Sequence, residues 1–201
     1  RGIQAAEQDG LPCDLDRWRA AREEMRTTIE REGVDRRRHC FVQAFGSTEV
    51  DASLLLLPIV GFVSASDPRM LTTVALIREE LCIGGLVRRY RPDRVEDGLQ
   101  EGEGAFLMCS FWLVDVLAMQ GRLAEAEARF RALLELCNDV GLFAEQYDPR
   151  ERRLLGNFPQ AFTHMALVNS AAQLRRAHAG ADHAKPLADR SRVRPRAPRH
   201  G

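Results

Sequence analysis

Residues 141–169 read GLFAEQYDPRERRLLGNFPQAFTHMALVN, and their reading decides how the rest of the chain is understood. A turn carrying the carboxylate Glu145 beside Gln146 and Tyr147 leads, through a basic loop, into a helix predicted to begin near Asn157. Pro149 restricts the residue before it to extended conformations, so Tyr147 and Asp148 are expected to shape the turn. A polar loop between two amphipathic helices is where rigid scaffolds often display sites. His164, on the following helix, reads as a satisfied packing residue rather than a ligand.

Outward from this stretch the pattern is helical. Leu15, Trp18, Ala21, Met25 and Ile29 recur at spacings of three and four, an amphipathic helix over Asp14–Glu32 stopped by Gly33. Residues 41–45 suit a short extended piece. Asp51 is placed to cap a helix reaching Leu57 and Val60, with Pro58 as a bend or break. Asp67 followed by Pro68 opens a helix to about Leu81. Residues 84–103, rich in Gly, Arg and acids, are predicted to form a long loop. Further helices are expected from Gly104 to Met119, from Leu123 to Asn138, and from Asn157 to about His178. Strand signals are almost absent. The result is an all-α chain of about six helices in successive hairpins. A helical repeat array would look similar, but these hairpins share no constant period and their loops differ.

About two hundred residues fit one domain with a substantial core. The predicted organisation is that domain over 1–178 and a disordered basic tail over 179–201. The tail is rich in Gly, Pro, Ala and Arg and has too few large hydrophobes to offset its ordering entropy. The chain has 29 basic and 29 acidic residues, so no global field argues for nucleic acid. The longest apolar run, Leu54 to Val63, is too short to span a membrane. The five cysteines are scattered and show no zinc spacing, and reduced thiols suit a cytoplasmic setting. No motif implies a cofactor.

The wording of 141–169 closely resembles the C-terminal part of glycoside hydrolase family 15, which contains glucoamylases, glucodextranases and bacterial trehalases. Gln8-Asp9-Gly10-Leu11-Pro12-Cys13, the run from Ser47 to Pro58, Arg88-Arg89-Tyr90 and the run from Glu103 to Leu113 resemble further segments of the family, in the same order. The resemblance covers about residues 7–176. It implies an (α/α)6 barrel, of which this chain would hold about half, leaving apolar surface that invites homo-oligomers or aggregation. It also implies an inverting hydrolase of α-glucosidic bonds, with trehalose the first-choice substrate and an α-linked glucose oligosaccharide close behind.

Glycoside hydrolysis by inversion needs a general acid and a general base about 6.5–9.5 Å apart, leaving room for the attacking water. Matched to the family, Glu145 is the base, and Gln146 would bond sugar hydroxyls or orient the water. Arg89 and Tyr90 match the family's pocket pair: a guanidinium grips vicinal hydroxyls and an aromatic face packs on a sugar ring. Their plain alternative is a solvated basic loop. Glu103 is expected at a helix start, beside the substrate or simply favouring the helix dipole. Phe162 stands where some relatives carry a pocket-lining Trp. The family's general acid belongs to a Trp-Glu motif, yet Trp18 and Trp112 are followed here by Arg19 and Leu113. The chain therefore reads as roughly the second half of a catalytic domain, with the acid expected in a missing N-terminal half. The rival reading is a non-catalytic helical interaction module or a decayed hydrolase remnant.

Overall fold

The computed structural model describes residues 2–10, 12–91 and 104–184, with side chains to residue 180. Two compact units divide the chain, residues 1–102 and 103–201. Among the described residues seven α-helices dominate, joined by very short antiparallel strands. The all-α expectation is thereby corrected to mostly helical with small sheets. Two- and three-residue strands leave no alternating pattern in a sequence, because alternation needs at least four positions to register.

The first unit opens with α1 (Gly2–Asp9) and α2 (Leu15–Glu32). Asp14 caps α2 by accepting from the Arg17 amide at 3.0 Å, and Gly33 ends it as expected. A hairpin of β1 (Val34–Asp35) and β2 (Cys40–Phe41) follows. Asp51 caps a 3-10 turn, Ala52–Leu55, that runs into the single turn α3 (Leu56–Ile59) rather than one longer helix. Asp67 accepts from the Arg69 amide at 2.8 Å and starts α4 (Pro68–Glu80).

Phe41, Met70, Val74 and Ile77 form the centre of this unit's core. There Thr73 Oγ1 donates to the Arg69 carbonyl at 2.7 Å and accepts from the Phe41 amide at 2.9 Å, so a buried hydroxyl is fully used. The expected loop after Cys82 is instead a tight hairpin of β3 (Cys82–Ile83) and β4 (Leu86–Val87). Gly84 and Gly85 both take positive φ, 57° and 84°, as a two-residue turn of the primed kind requires. The remainder of that loop, residues 92–103, lies outside the described residues.

The second unit is built on α5 (Leu107–Met119), ten of whose thirteen residues are buried. A helix that apolar on every side belongs in a core. It packs against α6 (Leu123–Leu134) and α7 (Ala161–Ala184). Phe111 sits edge-on to Phe130 and Phe143, with ring centroids 6.0 Å from each. A three-stranded sheet of β5 (Ala105–Phe106), β6 (Gln146–Asp148) and β7 (Arg153–Leu155) covers the start of α5.

Four predicted helix ends move. Helix α5 starts at Leu107, not Gly104, because Ala105 and Phe106 pair with Tyr147 and Gln146. Helix α6 stops at Leu134, before Asn138, whose side chain accepts from the Val140 and Leu142 amides at 3.2 and 2.8 Å. Such local bonding competes with helix. Helix α7 starts at Ala161, not Asn157, since Pro159 keeps Phe158 out of the α region. It also continues past His178 to Ala184, and residues 185–201 of the expected tail lie outside the described residues.

Candidate active site

The chain from Phe143 to Glu145 is held on both flanks by backbone bonds. The Gln160 amide donates to the Phe143 carbonyl at 2.9 Å, and the Leu107 amide donates to the Glu145 carbonyl at 3.1 Å. Thr163 Oγ1 donates to the Ala144 carbonyl at 3.0 Å in a buried position. Phe143, almost fully buried, anchors the segment in the core. The starts of α5 and α7 therefore fix the short segment that ends in the Glu145 carboxylate.

His164 belongs to the same scaffold. Its Nε2 accepts from the Phe143 amide at 3.3 Å while Nδ1 lies 2.7 Å from the Gln160 carbonyl. An amide can only donate, so Nε2 is the acceptor and Nδ1 carries the proton. The ring also packs edge-on against Phe143, centroids 5.7 Å apart. Both nitrogens are used in holding the turn, as a packing role requires.

Beyond Glu145 the chain enters the β6–β7 hairpin, paired Gln146 to Leu155, Tyr147 to Leu154 and Asp148 to Arg153. Asp148 Oδ1 accepts from the Arg150 amide at 2.9 Å and the Glu151 amide at 3.3 Å, which shapes the turn around Pro149. This register sets Gly156 opposite Glu145. The Glu145 amide donates to the Asn157 carbonyl at 3.0 Å. In return the Asn157 amide and its Nδ2 donate to Glu145 Oε2, at 3.2 and 3.0 Å. Among the described residues, Oε1 accepts no hydrogen bond. Gly156 has φ +74°, and a Cβ there would stand 2.7 Å from Glu145 Oε2. Glycine suits that positive φ, and a side chain there would have to displace the Glu145 carboxylate.

Gln146 is partly committed to structure, because its Oε1 accepts from the Gly104 amide at 2.9 Å. Phe162, in the first turn of α7, is 62% exposed in the same unit. Glu103 lies outside the described residues. Arg89 and Tyr90 belong to the first unit, directly after β4, where the Arg89 carbonyl accepts from the Ala52 amide at 2.8 Å. The Arg89 guanidinium lies 4.6 Å over the Tyr90 ring and its Nη2 donates to the Tyr90 hydroxyl at 2.8 Å. One face of that ring is thus covered by the guanidinium.

Gly156 and Asn157 enter the site only through the fold, since the sequence pattern places Asn157 at the opening of a helix that in fact begins at Ala161. The signal was present: a Gly-Asn pair between Leu154-Leu155 and Pro159 marks a turn. Among the described residues, no group of three or more His, Cys, Asp or Glu side chains is arranged to hold a metal ion. No described helix is long and apolar enough to cross a membrane.

The sequence profile of glycosyl hydrolases family 15 matches residues 1–172. A protein named trehalase from Mycolicibacterium smegmatis is 43% identical over 182 residues, which are 90% of this chain and 27% of that protein. A trehalase from Thermoplasma acidophilum is 40% identical over 176 residues, 87% of this chain and 30% of its own. The chain thus spans under a third of the length of these curated relatives. Its fold resembles that of a solved wild-type glycosidase, with TM-score 0.67 and 24% identity, over 80% of this chain and 45% of the other. A variant glycosidase in complex with glucose superposes equally, at TM-score 0.67 and 24% identity over the same shares. By the extent of the profile match and the identity to these relatives, the chain belongs to glycosyl hydrolases family 15.

Proposed function

We propose that the chain is the C-terminal part of an inverting α-glucoside hydrolase and supplies its general base, Glu145. The observation that carries this reading is the carboxylate at the mouth of the β6–β7 hairpin: partly exposed, tied at one oxygen and open at the other. In the reaction Glu145 takes one proton from water as the water oxygen bonds to the sugar's anomeric carbon. The glycosidic bond breaks on the opposite face, and the leaving oxygen receives its proton from the general acid. That acid belongs to a partner segment outside these residues, completing an (α/α)6 barrel of which this chain forms about half. Trehalose is the first-choice substrate, in keeping with the names of the relatives, and an α-linked glucose oligosaccharide the second. Arg89, Tyr90, Gln146, Glu103 and Phe162 are the proposed sugar contacts. The five cysteines are scattered along the chain, and reduced thiols suit a cytoplasmic enzyme.

A second reading, a non-catalytic helical module, is favoured by one observation: neither tryptophan is followed by a glutamate. Glucose release from trehalose, maltose and isomaltose separates the two. The purified chain should release none. In the complete enzyme Glu145→Gln should lower turnover by about 10²–10⁴-fold with the fold intact. Glu145→Gln with full turnover removes the general-base assignment. Hydrolysis by the chain alone removes the half-domain reading.

A further inference from the structure

We propose that Asn157 is the positioning residue of the candidate base, and that Gly156 and Asn157 together form a cradle presenting Glu145 Oε1 to the attacking water. The inference rests on Glu145 being that base and goes beyond it by assigning a separate role to each carboxylate oxygen. Both donors of Asn157, the amide at 3.2 Å and Nδ2 at 3.0 Å, reach Oε2. Two bonds from one residue stop the carboxylate rotating about its terminal torsion, which is otherwise soft. Oε1, accepting nothing among the described residues, is left as the oxygen that takes the proton.

The cradle is itself held from behind. The Glu145 amide donates to the Asn157 carbonyl at 3.0 Å, so residues 145 and 157 clasp each other through main chain and side chain at once. Gly156 completes the arrangement by absence: any Cβ would meet Oε2 at 2.7 Å and Glu145 Cβ at 3.1 Å. A substituent there would push the carboxylate off its donors. Orientation of this kind acts on turnover and not on affinity, because a reacting group misplaced by about 1 Å can cost on the order of 10²-fold.

Four variants test this: Glu145→Gln, Asn157→Ala, Asn157→Asp and Gly156→Ala. In the complete enzyme Asn157→Ala should lower kcat about 10- to 100-fold with KM unchanged within about threefold. Asn157→Asp keeps the shape but sets a second carboxylate against Glu145. Its loss in kcat should exceed that of Asn157→Ala, since a second carboxylate then faces Oε2 and pushes it off the cradle. A bond that only tied the hairpin together would cost stability in both variants and leave kcat of the folded enzyme unchanged. In crystals of this chain, Asn157→Ala should leave the Glu145 carboxylate in more than one orientation, and Gly156→Ala should displace it. An unchanged kcat in Asn157→Ala, or one unchanged carboxylate orientation in it, overturns the cradle while leaving the base standing. An active Glu145→Gln overturns both.

Discussion

Asp115 is a carboxylate set inside a helix packing face, 6% exposed between α5 and α7. Burial pushes its pKa up to about 6, against the opposing effects of the Ser170 hydroxyl and the Arg176 charge. Its Oδ1 has no hydrogen-bond partner, so the ionised form is poorly served there. The folded chain holds this proton more tightly than the unfolded chain, whose ordinary value is 3.8. The resulting stability is complete below 3.8 and is lost as pH rises through about 6. Its size is about 2–3 kcal/mol at one unit per ~1.4 kcal/mol. Denaturant unfolding should therefore show Asp115→Asn more stable than the parent at pH 7.5 by up to that amount, and level with it near pH 4. A constant difference across that range removes the titration argument. At this scale the sequence offered the residue type but not its surroundings: Asp115 in FWLVDVLAM could equally be the one polar position of a half-exposed helix.

The elements differ in how well they announce themselves. Asp14 before α2 and Asp67-Pro68 before α4 are local signals, and each carries its own capping oxygen. The sheet of β5, β6 and β7 is not local, because its register depends on residues about forty positions apart finding each other. Gly104 shows how tight that meeting is. A Cβ on it would stand 2.7 Å from the Tyr147 carbonyl oxygen, and its amide holds Gln146 Oε1 at 2.9 Å. Gly104→Ala should force β5 away from β6 at a cost of about 1–3 kcal/mol. The check is the denaturant midpoint at unchanged slope, and an unmoved midpoint means that the strands part without penalty.

At the scale of the whole chain, each unit carries an apolar face with nothing over it among the described residues. On α7, Phe162, Met165 and Val168 are 62%, 59% and 66% exposed along one side. Helix α2 has no buried residue at all, and on its predicted apolar stripe Met25 is 60% exposed while the Trp18 ring is only partly covered by α1. Exposed stripes of this kind mark surfaces that other protein covers. The purified chain should therefore self-associate, as read by sedimentation velocity. Met165→Lys combined with Val168→Lys should shift it toward the monomer. A parent chain that sediments as a monomer at every concentration would remove this expectation.

The sequence by itself determined the helical character, the capped helix starts and the family, because these reside in local patterns and in contiguous wording such as EQYDP and GNFPQAF. Glu145 stands out in the sequence through the same wording. What holds the Glu145 carboxylate is set by the tertiary fold, since Asn157 meets Glu145 across twelve residues once the β6–β7 hairpin has closed. The tertiary fold also decided that Gln146 spends one oxygen on Gly104 and that Asp115 is enclosed by α7. Both follow from pairings between distant segments, and helical periodicity reports only which side of an element is apolar, not what lies against it.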